Sequence, residues 1–181
     1  MQELLEDPRI IYIKGNHEEM MLNAWEDPFD LPLWKANGAN KTRKGLMCLP
    51  HSKRVELVSK LKYKTKDFHV YYSNGKTIFL THSGFNPEID KEPLDTRWNR
   101  KHIAETWPDN PDFDNLVLIH GHTITWTLDK YDSKVNPEKA VAAITYCQGH
   151  KIDIDMGTVV TGKACLLDLD TLQPIYFTIE K

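Results

Sequence analysis

Three short stretches carry side chains suited to metal chemistry: "GNHE" at Gly15 to Glu18, "THSG" at Thr81 to Gly84, and "HGHT" at His120 to Thr123. Each follows an apolar, β-rich run, respectively "IIYIK", "KTIFL" and "LVLI". Imidazole nitrogens and a carboxamide oxygen are both suitable ligands for transition-series divalent ions. Glycine beside them lets the backbone turn sharply and brings the side chain to the strand end, where layered α/β folds bind ligands. The candidates are therefore Asn16, His17, His82 and His122. Taken singly, each has an ordinary structural role: Asn16 as a helix N-cap, His17 as an exposed first-turn residue, and His82 or His122 as satisfied strand-end histidines. Three turns of one design in one chain favour a shared site. His51, His69, His102 and His150 lack that setting and read as surface or core residues. His120 precedes Gly121 and is expected to point away from His122, outside the set.

The elements that must position these groups follow from pattern. Met1 to Glu6 reads as a helix tail ended before Pro8, and Ile10 to Ile13 as a short buried strand. Asn16 then caps a helix running to about Trp25, with Glu18 and Glu19 in its first turn, where the helix dipole favours them. Trp34 to Gly45 is polar and glycine-bearing and reads as loop. Ser52 to Leu61 places Val55, Val58 and Leu61 on a helical stripe. Two β-rich runs joined by Ser73-Asn74-Gly75 give the strongest hairpin signal in the chain. "RWNRKHIAETW" (97–107) reads as a short helix stopped by Pro108, and "NLVLIHGHT" (115–123) as a buried strand. The carboxyl-terminal third reads as strands with turns at Met156-Gly157, Thr161-Gly162 and Asp170 to Gln173. Strands mixed with helices, without repeat, low-complexity tract or linker, predict a layered α/β or α+β fold in one domain.

Composition narrows the partners. The 181 residues are 40% hydrophobic and 27% charged, as in an ordinary soluble domain. A formal charge of −3 supplies no basic excess for a phosphate backbone, which argues against nucleic acid. Cys48, Cys147 and Cys165 are far apart and odd in number, so neither a disulfide framework nor a thiolate zinc site is favoured. The expected compartment is a reducing cytoplasm. "MQELLEDPR" has no signal-peptide character, and no apolar run approaches the roughly 20 residues of a membrane span.

In order and spacing, "GNHE", "THSG" and "HGHT" resemble the calcineurin-like metallophosphatases. "WKANGANKT" is similar to that superfamily's "W…NGG…T" loop. "IDIDMGTVVTGKACLLDLDT" resembles the "IDTG…GGKL…LDL" run of its bacterial and phage serine/threonine protein phosphatases and symmetrical diadenosine-tetraphosphate hydrolases. The resemblance implies a four-layer α-β-β-α sandwich and hydrolysis of phosphate esters, with a phosphorylated protein or a nucleotide as substrate. It implies Asn16, His82 and His122 as ligands of one metal, His17 as proton donor to the leaving oxygen, and Arg100 in "RWNR" as a grip on phosphate oxygens. Two ions, among manganese, iron, zinc and nickel, hold a bridging hydroxide in such sites.

The family pattern opens with "GDxHG" and "GDxxDRG", and neither occurs in these 181 residues. The chain reads as the family sequence picked up midway, a single domain without its first βαβ portion. Asp153 and Asp155 are expected to be structural and do not replace the missing carboxylates. At most one well-liganded metal site is expected, because Asn16, His82 and His122 are all neutral and no bridging carboxylate offsets the charge. His17 lacks the carboxylate that would fix its tautomer. Weak or absent turnover follows, and a second copy of the chain is expected to cover an exposed sheet edge. The alternatives are a non-catalytic module that binds phosphate or metal on the same scaffold, and a nonfunctional truncated product.

Overall fold

The computed structural model describes residues 2–90, 96–130 and 142–179. The chain is of mixed α+β class, with helices and a five-stranded mixed sheet. It divides into two compact units, residues 1–66 and 67–181. Among the described residues no helix is long and apolar enough to cross a membrane.

The first unit is helical. Its elements are α1 (Gln2–Glu6), α2 (Asn16–Glu26), α3 (Leu31–Ala36), α4 (Asn40–Met47) and α5 (His51–Lys64). Helix α2 packs on α3 and α5, and the buried residues include Met20, Met21, Trp34, Ala39, Leu57, Val58 and Leu61. Lys60 ties α1 to α5 through Glu6 and holds Glu56 within its own helix, each at 2.6 Å.

Four expectations are corrected in this unit. Ile10 to Ile13 is not a buried strand: Ile10 and Ile11 are exposed, and only Ile13 forms an isolated bridge, to Lys66. β-propensity without a neighbouring ladder leaves the backbone irregular. Asn16 is not the N-cap. Gly15 holds that position, and its N–H donates to Glu18 Oε2 at 2.9 Å, so the capping carboxylate reaches back from the third helical residue. Trp34 to Gly45 is not loop: it spans the end of α3, a turn at 37–39 and most of α4. Val55 is exposed, and Leu57 takes its place on the buried stripe of α5.

The second unit holds β1 (Phe68–Ser73), β2 (Lys76–Thr81), α6 (Lys101–Ala104), β3 (Leu116–His120), β4 (Ile144–Tyr146), β5 (Lys151–Asp153), α7 (Thr158–Thr161), β6 (Lys163–Leu167) and β7 (Pro174–Thr178). The main sheet runs in the order β1-β2-β3-β5-β4, and β6 pairs with β7 in a separate two-stranded sheet. The hairpin is as expected: Ser73 pairs with Lys76, and Asn74 and Gly75 take φ of 49° and 74°. Helix α6 is only four residues long, and α7 fills the space between the two expected glycine turns.

Strands β2, β3 and β5 are mutually parallel, so their carboxyl ends lie on one edge. All five residues of β3 are buried, as a central parallel strand requires. On one face Ile78, Val117, Ile119 and Ile152 form a core that Leu167, Leu169 and Leu172 cover. Alternation along β3 sends His120 to the other face, where Ile103, Leu128 and Tyr146 form a second cluster.

Candidate metal centre at the ends of β2 and β3

His82 follows β2 directly, and His122 lies two residues beyond β3. The backbone joins the two turns, since Gly121 N–H donates to the His82 carbonyl at 2.9 Å. His122 has φ of 66°, and Thr123 N–H bonds across it to the Gly121 carbonyl at 2.7 Å. This is a γ-turn in the left-handed region, a strained arrangement for a residue with a Cβ. It swings the His122 ring out of the strand path and against His82: Nε2 of His82 lies 3.1 Å from Nδ1 of His122, with ring centroids 4.9 Å apart. Trp98 stands edge-on to His122 at 6.1 Å.

Two imidazole nitrogens that face each other at 3.1 Å have two chemical options. One carries a proton and donates it to the other. Alternatively both present lone pairs to one ion. At metal–nitrogen distances of about 2.1 Å, two ligands at octahedral or tetrahedral angles lie about 3.0 to 3.4 Å apart. The pair therefore fits two positions of one coordination sphere. Among the described residues no group of three or more His, Cys, Asp or Glu side chains is gathered to hold an ion, so the remaining positions would fall to other donors.

The other candidates are placed as follows. Asn16 and His17 open α2 in the 1–66 unit, Asn16 buried and His17 exposed. Arg100 is half-buried at the start of α6, and its carbonyl accepts from Ile103 N–H. Within "RWNR", Arg97 pairs with Asp67 at 3.2 Å, while Trp98 is the member that meets the histidine pair.

Two neighbouring histidines, His102 and His120, form a separate buried layer. His120 Nδ1–H donates to the Gly121 carbonyl at 3.1 Å, and its Nε2 accepts from the Tyr146 hydroxyl at 2.7 Å. Burial pushes its pKa down to about 4. His120 and His122 do have different neighbours, but not through strand alternation, which would put residues two apart on the same face; the γ-turn separates them. His102 Nε2–H donates to the Ser83 carbonyl at 2.6 Å, and burial holds its pKa well below the usual imidazole value. His150 Nδ1–H donates to the Leu116 carbonyl, and its ring stacks on Trp107 at 4.6 Å. Asp153 is fully buried opposite His120 in the β3–β5 register. Its Oδ1 accepts from Asp155 N–H, Oδ2 has no hydrogen-bond partner among the described residues, and burial raises its pKa well above the carboxylate range.

The sequence reading passed over Trp98 and His102. Nothing in their spacing links them to Thr81 to Gly84. No family model matches this chain, and no curated protein does.

Proposed function

We propose that the chain is a metal-dependent phosphoesterase built on the four-layer metallophosphatase sandwich, with His82 and His122 as paired ligands of one divalent ion. The observation that carries this is the 3.1 Å approach of His82 Nε2 to His122 Nδ1 at the ends of adjacent parallel strands, on two turns whose residues also match the family motifs. The resemblance, and not the geometry, is what implies Asn16 as a further ligand and His17 as proton donor. Manganese, iron, zinc and nickel all accept such N and O donors.

When bound, the ion would lower the pKa of a coordinated water and polarise a phosphoryl oxygen. His82 and His122 would hold it with their facing nitrogens, each proton resting on the distal ring nitrogen. Trp98 stands edge-on to one side of His122. The Arg100 guanidinium, half-buried at the start of α6, is suited to neutralise charge on phosphate oxygens. His17 is exposed at the start of α2. Substrates are phosphoproteins or nucleotides.

These 181 residues carry neither "GDxHG" nor "GDxxDRG", and the proposal for these residues alone is slow turnover. The same feature favours the second candidate, a module that binds metal or phosphate without hydrolysis. Hydrolysis of p-nitrophenyl phosphate with and without manganese tests the proposal. Slow hydrolysis that manganese stimulates, and that His82→Ala and His17→Ala both abolish, is expected. Hydrolysis that is absent, or indifferent to manganese, contradicts it.

A further inference from the structure

The residue after His82 is held on both sides of its backbone. Ser83 is fully buried; its N–H donates to the Thr96 carbonyl and its carbonyl accepts from His102 Nε2–H, each at 2.6 Å. A carbonyl can only accept, so His102 is the Nε2–H tautomer. The next residue, Gly84, has φ of 94°, and the His102 ring occupies the space its missing side chain would need. His102 also stands edge-on to His120 at 4.8 Å, and His120 holds the Gly121 carbonyl. Lys151 anchors the end of α6 from below: Nζ donates to the His102 carbonyl and, at 3.0 Å, to that of Glu105.

One buried layer thus reaches the turn that carries His82 through Ser83, and the turn that carries His122 through Gly121. We infer that His102 is a positioning residue for the His82–His122 pair, its Nε2–H bond to the Ser83 carbonyl fixing the backbone that aims His82 at His122. Its consequence for metal binding rests on the proposed function; the positioning itself concerns only the two imidazoles. Groups that orient metal-ligating histidines commonly change metal affinity by about 10- to 100-fold when removed, because a ligand free to rotate must be ordered at binding.

The experiment compares the full chain with His102→Leu, which removes the donor, and His102→Gln, which keeps an N–H within reach of the carbonyl. Two readouts are taken: the ¹⁵N–¹H imidazole spectrum of His82 and His122 without metal, and manganese affinity by titration calorimetry. Retained near-UV circular dichroism establishes that each variant is folded. In His102→Leu the His82–His122 hydrogen-bond signature is expected to be lost and manganese affinity to fall at least tenfold; His102→Gln should keep both. An unchanged imidazole spectrum in His102→Leu overturns the inference, as does loss of the signature in both variants. If His102→Leu does not fold, the parent spectrum decides: an Nε2–H tautomer with slow proton exchange at His102 supports the inference, and an Nδ1–H tautomer overturns it. A parent chain that binds no manganese while the spectra behave as expected removes the metal proposal and leaves the positioning role standing.

Discussion

Gly84 and His102 compete for one volume: a Cβ at Gly84 would lie 2.5 Å from His102 Cε1 and 2.6 Å from Nε2. The glycine needed for the turn after His82 is thus also the only residue that leaves room for the imidazole holding that turn.

Gly84→Ala should therefore be costly for two reasons, backbone strain at φ 94° and collision with a buried ring. Gly75→Ala provides the control, since Gly75 also has positive φ (74°) but nothing lies within 4 Å of its Cβ position. Urea unfolding is expected to show a loss of about 1 kcal/mol for Gly75→Ala, from strain alone, and about 2 to 4 kcal/mol for Gly84→Ala. Equal losses would place no weight on the ring contact.

Stability should fall on mild acidification through His102. The ring is buried among His120, Lys151 and the Ser83 carbonyl, and its pKa is depressed, chiefly by burial. Between the folded value and the unfolded value of 6.5, the unfolded chain binds a proton that the folded chain refuses. This stability is full above 6.5 and is lost as pH falls through the folded value, with a limiting slope of about 1.4 kcal/mol per pH unit. His102→Gln should reduce the slope between pH 7.5 and 5, leaving the part that buried His120 contributes with the same sign, measured by urea midpoints at constant ionic strength. A slope unchanged by the substitution contradicts this assignment.

Asp153 acts with the opposite sign. Burial raises its pKa, so its contribution is fully favourable below the unfolded value of 3.8 and is lost as pH rises through the folded value. Asp153→Asn keeps an oxygen for Asp155 N–H and removes the cost of a buried, half-satisfied carboxylate. It is expected to raise stability at pH 7.5 by on the order of 1 kcal/mol, with the gain shrinking toward pH 4. Thermal unfolding at the two pH values checks this; destabilisation at pH 7.5 would assign Oδ2 a partner it needs.

Local chemistry made part of the fold legible in the sequence. Asn74-Gly75 named the hairpin because the turn demands positive φ at both positions, and those residues accept it at low cost. The unbroken run Leu116 to Ile119 named a buried strand, and its place between two parallel neighbours is why both faces are covered. Other elements depend on partners that spacing does not reveal. Ile10 to Ile13 has the residues of a strand, but its ladder reaches only Lys66. Asn37 and Gly38 disguise α3 and α4 as loop, although buried Trp34 and Ala39 anchor that segment. At the site, the glycine turns announced His82 and His122. The γ-turn that aims His122, and His102 behind Ser83, arise from tertiary packing and leave no periodic trace.

The central claim is that His82 and His122 together hold one divalent ion. Manganese titration of the chain and of His82→Ala/His122→Ala, at pH 7.5 with near-UV circular dichroism as a fold control, tests it most directly. The account predicts a single saturable site in the parent that the double variant loses. Equal binding by both proteins, or no binding by the parent, would contradict it.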